Sequence, residues 1–420
     1  MRRLSHSLAP LFSFLACFDL ITSTPTPVPH RNHHHAPNVP TSLFSELEEL
    51  ARIVDITYCS PAIAKPFTCL SHCKDFPHFE LITTWDTGPL LSDSAGYLAL
   101  DHGQARIIVA FRGTYSLANT VADLSTVPQK YEPYPGEDGD VHGERPSQHY
   151  LGSAHHSLPT PPQSSDEGKC PNCTVHMGFQ RSWSNTRATI LPDLQRQLSL
   201  HPDFELHLVG HSLGGAVAAL AGLEMLARGA HPTITTYGEP RVGNRNLARF
   251  IDRRFGLLPL PEEDEDESDT TTTTKTGWRY RRVTHVDDPV PLLPLSEWGY
   301  AAHAGEIFIS KRSLSPDVRD VRFCAGDDDP GCIAGLDETV DGSSRIARRR
   351  RDLLGSAVRD ELKGVLSEHS WEDMMVLPPR YRLWELFFAH RDYFCRLGLC
   401  VPGGDPLGGG GKYVDGLNGS

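Results

Sequence analysis

The stretch Leu206-His207-Leu208-Val209-Gly210-His211-Ser212-Leu213-Gly214-Gly215-Ala216 reads as an apolar strand that runs into Gly-x-Ser-x-Gly and then into a helix over 216–227. The context decides more than the five-letter pattern, which chance produces often. A sharp strand-to-helix turn lifts a serine hydroxyl above the end of a sheet. Glycines two residues either side leave space where a Cβ would crowd the strand and the helix. The free N–H groups of the helix start point at the same spot, which suits a developing oxyanion. Ser212 is therefore a candidate nucleophile.

Outward from this turn, strand and helix patterns alternate. Residues 41–58 are expected to form a helix with Leu47, Leu50, Ile53 and Val54 as its apolar stripe and Thr41 or Ser45 as its cap. Residues 97–100 and 105–111 read as paired strands around the turn Asp101-His-Gly-Gln104. A helix is expected over 178–200, with Pro192 kinking or restarting it, and another over 245–255. Strands are expected at 233–237, 278–285 and 306–310. This rhythm predicts an α/β fold, a mostly parallel sheet covered on both faces, and 420 residues suffice for a sizeable core. Insertions near 129–169, 261–276 and 340–361 interrupt it: the first rich in Pro, Gly, Ser and His, the second acidic and then Thr-rich, the third carrying Arg348 to Arg351. They and the Gly-rich tail 401–420 read as decorations of one domain over 41–400. The arginine run reads as a solvated insertion, with a processing site or an acidic-surface contact as the alternative.

The formal net charge of −13 excludes a general nucleic-acid role. Arg2 and Arg3 precede a mostly apolar run over 8–20 and a cleavage zone over 21–25, the build of a secretory signal over 1–23. The run is shorter than the roughly 20 residues a membrane span needs, and it contains Asp19. Residues 24–40 read as a disordered or propeptide segment, which takes in His33-His34-His35. A secreted, extracellular protein is expected. Of ten cysteines, Cys17 leaves with the signal, and the odd remainder implies disulfides with one thiol over. Cys170-Pro-Asn-Cys173 is expected to be a small structural loop rather than a redox pair or a zinc site. Asn172-Cys-Thr174 and Asn418-Gly-Ser420 are glycosylation sequons, the first disfavoured if Cys173 is bridged.

A serine hydroxyl needs a general base and a carboxylate to orient it. In the order Ser, Asp/Glu, His, the acid should follow a later strand, and Val283-Thr-His-Val-Asp287-Asp288-Pro-Val-Pro291 offers two candidates. The histidines beyond it are His303, His369 and His390. His390 closes the apolar patch Leu383-Trp-Glu-Leu-Phe-Phe-Ala389 and is favoured, whereas His303 suits a structural hydrogen bond. The oxyanion donors are expected to be the N–H of Leu213 and the N–H and hydroxyl of Thr114, after the apolar strand ending Phe111-Arg-Gly.

Six stretches, in order, carry a resemblance to a known family: Ile108-Val-Ala-Phe-Arg-Gly-Thr114, Val175-His-Met-Gly-Phe-Gln-Arg-Ser-Trp183, Val209-Gly-His-Ser-Leu-Gly-Gly-Ala216, Tyr237-Gly-Glu-Pro-Arg-Val-Gly-Asn244, Thr284-His-Val-Asp-Asp-Pro-Val-Pro291 and Ala389-His-Arg-Asp-Tyr-Phe394. Together they resemble the filamentous-fungal class 3 lipases, which include type A feruloyl esterases. The resemblance implies an α/β-hydrolase fold, Asp288 as the acid, His390 as the base and Thr114 in the oxyanion hole. It makes Asp287 a turn residue. It also implies disulfides Cys59–Cys400, Cys69–Cys73 and Cys170–Cys173, with Cys324–Cys332 as an extra loop and Cys395 unpaired. A lid helix would fall on 116–124, where Leu117, Val121 and Leu124 form an apolar stripe widened by Ala118. The lid lacks the Trp of some relatives. The expected protein is a secreted serine carboxylester hydrolase needing no cofactor or metal, a triacylglycerol lipase working transiently at a lipid–water interface. A feruloyl or short-chain esterase is the enzyme alternative, and a catalytically silent secreted binding protein on the same scaffold is the alternative of another class.

Overall fold

The computed structural model describes residues 38–60, 62–88, 93–114, 128–134, 168–257, 278–333, 335, 389–398 and 400. Its centre is an eight-stranded sheet. The strands are β1 (Phe79–Asp86), β2 (Ala95–Asp101), β3 (Arg106–Phe111), β6 (Glu205–His211), β7 (Thr233–Tyr237), β9 (Tyr280–His285), β11 (Glu306–Ile309) and β12 (Val321–Phe323), in that spatial order. The inner run from β3 to β11 is parallel throughout, while β1, β2 and β12 add antiparallel edges.

Period-two alternation splits the strand residues between two apolar layers. Ile107, Val109 and Phe111 face a core with α2 (Met177–Leu200), α3 (Leu213–Ala227) and α4 (Arg245–Phe255). Ile108 and Ala110 face the opposite core, which α1 (Thr41–Ile56) closes with Leu47, Leu50, Ile53 and Val54. The parallel strands are therefore apolar on both faces, as burial on both sides requires. Helix α3 is buried along almost its whole length. Its Gly and Ala run lets it lie close to β3 and β6, and an ideal Cβ on Gly214 would stand 2.4 Å from the Phe111 carbonyl oxygen.

Several expectations change. α1 starts after Pro40 and makes no side-chain cap bond, because Thr41 is already the first helical residue. α2 runs unbroken past Pro192, held by Phe179, Trp183, Ile190 and Leu194 in the core. α3 begins at Leu213, three residues earlier than the small-residue pattern suggested. β1 and β12 were not legible, nor was a second sheet of order β10-β8-β5-β4, formed by Tyr300–Ala301, Gly243–Asn244, Thr174–His176 and Pro128–Lys130. The segment 129–169 is thus not wholly loop, since its first residues pair with β5. The signal, residues 24–37 of the propeptide stretch, the lid residues Leu117, Val121 and Leu124, the other two insertions and the tail lie outside the described residues. The end of that stretch, residues 38–40, is not disordered: Val39 is buried and its N–H donates to the Val321 carbonyl of β12.

All four expected disulfides are present, and Cys395 is the one free cysteine among the described residues. No helix among those residues is long and apolar enough to cross a membrane.

Candidate active site

The site lies where the parallel strands end. β6 stops at His211, and Ser212 turns the chain into α3 with φ 55° and ψ −128°. A non-glycine residue holds such a conformation only when its surroundings over-determine it. Here the Ser212 N–H donates to the Tyr237 carbonyl at 2.9 Å, and Gly210 packs against Gly214 with no space for a Cβ. Serine is a common helix cap, yet the Ser212 hydroxyl makes no cap bond. Its Oγ is buried and has no hydrogen-bond partner among the described residues, and the same holds for His390 Nε2.

Strand β9 delivers Asp288 through the turn at its end. The Asp288 Oδ1 accepts from the Val290 N–H at 2.9 Å. The Nδ1 of His390 lies 2.8 Å from Oδ2 and 3.0 Å from Oδ1 of Asp288. The Tyr393 hydroxyl donates to Oδ2 as well. Burial pushes the Asp288 carboxyl up, but His390, Tyr393 and the Val290 N–H outweigh it and hold it below the usual carboxylate range. With a carboxylate on Nδ1, the imidazole carries its proton there and leaves Nε2 bare. Gly238, at φ +60°, makes this convergence possible. A Cβ there would stand 2.7 Å from Asp288 Oδ2, His390 Cε1 and Tyr393 Oη.

Loop 112–114 closes the other side. An ideal Cβ on Gly113 would meet Ser212 Cβ at 2.9 Å, so Thr114 follows directly from a contact with the serine. Leu213 is the first residue of α3, and a helix leaves the N–H groups of its first turn without internal partners.

Of the residues singled out in the sequence, Ser212 and Leu213 stand at the end of β6, and Thr114 follows the Gly113 contact with Ser212. Asp288 and His390 meet at Gly238, next to the Tyr237 carbonyl that binds Ser212. Asp287 points away to Arg312 at 3.1 Å. His303 lies in the core, with Nε2 3.1 Å from Glu239 Oε1 and Nδ1 2.7 Å from the Ala304 carbonyl. His369 is outside the described residues. Sequence reasoning missed Tyr393, His211, Tyr58 and Gly238. For Tyr393 a weak signal existed, a tyrosine three residues after the favoured base. Cys324 and Cys332 stand beside Glu306, but bridged sulfurs offer no thiolate to a metal.

A parallel sheet of this order, with a serine held at a strained strand-to-helix turn, defines the α/β-hydrolase fold. Residues 108–298 match the family model described as lipase (class 3). The chain is similar to a secreted mono- and diacylglycerol lipase 2 of Gibberella zeae, 46% identical over 97% of this chain and 96% of that one. It is also similar to a lipase A of Sodiomyces alcalophilus, 46% identical over 90% of this chain and 87% of that one. The crystal structure of the Lip2 lipase from Yarrowia lipolytica superposes with a TM-score of 0.61 at 27% identity, covering 87% of this chain and 97% of that one. The chain belongs to the class 3 lipases and is a carboxylester hydrolase.

Proposed function

We propose that this lipase is secreted and cleaves acylglycerols at a lipid–water interface through an acyl-enzyme formed on Ser212. One observation carries the reading: a buried imidazole, His390, is held by a carboxylate on Nδ1 while its Nε2 and the Ser212 hydroxyl are both buried and uncommitted. No hydrogen bond joins these two groups in the free protein, and such bonds often tighten only with substrate present.

In the proposed mechanism Ser212 Oγ attacks the ester carbonyl as His390 Nε2 takes its proton. Asp288 stabilises the imidazolium. The N–H of Leu213 and the N–H and hydroxyl of Thr114 hold the oxyanion, each donor worth roughly 3–4 kcal/mol in comparable sites. The imidazolium then protonates the departing alcohol. Water, deprotonated by the same ring, releases the fatty acid. Leu117, Val121 and Leu124 would form the apolar face of a lid that opens on the interface. Export rests on the signal-like residues 1–23, on relatives named secreted and on four disulfides, which form in oxidising compartments.

The relative similar over nearly the whole chain is named for mono- and diacylglycerols, which supports partial glycerides as preferred substrates. Purified mature protein is to be assayed on emulsified mono-, di- and triacylglycerols and on soluble methyl ferulate. Partial glycerides should be hydrolysed fastest. A dominant triacylglycerol rate would overturn the preference, and a dominant ferulate rate would overturn the lipase reading. Ser212→Ala should lose covalent labelling by an organophosphonate; labelling at full stoichiometry would place the nucleophile elsewhere.

A further inference from the structure

Two buried side chains beside the site have no part in the mechanism above, yet they join its two halves. Tyr58, in the 3-10 turn Thr57–Cys59 that ends α1, reaches under loop 112–114. Its hydroxyl oxygen packs against Gly113. It also lies 2.5 Å from His211 Nδ1. His211 Nε2 lies 2.7 Å from the carbonyl oxygen of His390. A carbonyl only accepts, so Nε2 carries the His211 proton. Nδ1 must then accept, and the Tyr58 O–H donates to it. The two bonds form one chain of fixed polarity, Tyr58 O–H to His211 and His211 N–H to the backbone of His390, and its Tyr58 end packs against Gly113.

Resting on the assignment of Ser212 and His390, we propose that Tyr58 and His211 are positioning residues that tie the oxyanion loop to the backbone of the general base. The placement supports this. Tyr58 and His211 are 4% and 2% exposed, so water does not substitute for either bond. An ideal Cβ on Gly113 would stand 2.6 Å from Tyr58 Oη, 2.9 Å from Ser212 Cβ and 3.0 Å from His211 Nδ1, so the three meet at that one backbone position. The His211 and His390 rings lie 4.5 Å apart, tilted by 34°. A neutral His211 tolerates the imidazolium that forms on His390, whereas a charged one would repel it. Burial in the first place, then the neighbouring His390, hold the His211 ring well below the usual histidine range.

The test uses Tyr58→Phe, His211→Leu and His211→Gln in the full-length protein. The glutamine amide keeps an N–H aimed at the His390 carbonyl. Turnover of a soluble short-chain ester is normalised to the end-point of organophosphonate labelling, and folding is followed by near-UV circular dichroism. Tyr58→Phe should lower kcat by about 10-fold or more with KM within two-fold of the parent, since small misplacements of reacting groups weigh heavily on rate. His211→Leu should lose more, and His211→Gln should recover part of the loss. A purely structural role would lower Tm and leave kcat per labelled site unchanged. The proposal is overturned by kcat within two-fold of the parent in Tyr58→Phe, by a loss confined to KM, or by glutamine no better than leucine. If His211→Leu does not fold, Tyr58→Phe and a His211→Gln activity below that of the parent decide. Failure of the Ser212 assignment would show separately, as labelling of Ser212→Ala.

Discussion

Around Ser212 the polar groups that are held, Asp288 above all, take partners that the local sequence does not reveal, while the Ser212 Oγ and His390 Nε2 stay uncommitted. Asp288 takes three donors, from His390, Tyr393 and the Val290 backbone. His285, at the end of β9, is buried, and burial lowers its affinity for a proton, as it does for His211. These shifts make stability depend on pH, and the sign follows from the direction. The unfolded histidine takes its proton near about 6.5 and the folded one only lower. Their contribution is therefore complete above about 6.5 and is lost as pH falls towards the folded values. Between the two, each group should remove about 1.4 kcal/mol of stability per pH unit. Asp288, also lowered, adds its loss further down, in the acid range. The urea midpoint should fall from pH 7.5 to pH 5, and His285→Asn should flatten that slope. A midpoint independent of pH over this window would contradict the argument. Ser212 and the glycines around it were legible because residue type and chain order restrict them, whereas chain order left Asp287 and Asp288 open and only the family resemblance pointed to Asp288 with His390. Tyr58 and His211 were not legible, because their partners lie 153 and 179 residues further along the chain.

At the scale of elements, the turn from β6 into α3 depends on close backbone approach. A Cβ on Gly214 would lie 2.4 Å from the Phe111 carbonyl oxygen and 2.7 Å from that of Arg112, both main-chain atoms of the strand and loop beside the serine. Gly214→Ala should therefore push α3 from β3, with a loss of about 1–3 kcal/mol and a fall in kcat. Gly229, just beyond α3, meets nothing within 4 Å, and its φ of +87° is the one obstacle to a side chain. Gly229→Ala should lose only about 1 kcal/mol and leave kcat alone. Urea titration and turnover of both variants check the contrast; equal losses would refute it. The inner strands were readable because burial on both faces makes them continuous apolar runs. β1 was not, since a bulge between Leu81 and Thr83 breaks its alternation. The four strands of the small sheet are two or three residues long, too short to show any period.

Across the whole molecule the disulfide Cys59–Cys400 ties the end of α1 to the chain beyond His390, across a sequence separation of 341. The chain-entropy account puts the stabilisation from so long a closed loop above the usual range, about 6 kcal/mol. Cys170–Cys173 closes a separation of 3 and constrains the unfolded chain far less. Replacing Cys59 and Cys400 together by Ser should lower the urea midpoint much more than the same change at Cys170 and Cys173. Replacing both members avoids exchange with Cys395. Similar losses from the two pairs would sink the entropic account. Because Cys59 adjoins Tyr58, the first double variant should also lose kcat per labelled site.

By itself the sequence determined the alternating α/β architecture, the strained serine turn and the chemical types available at the site, because these depend on periodicity, glycine geometry and chain order. Only the tertiary structure decided which carboxylate faces His390, that His303 belongs to the core, and that Tyr58, His211, Gly238 and Tyr393 surround the site. Those outcomes depend on hydrogen bonds and close contacts between residues remote in the chain, and their directions are set by how the two apolar layers pack against the sheet.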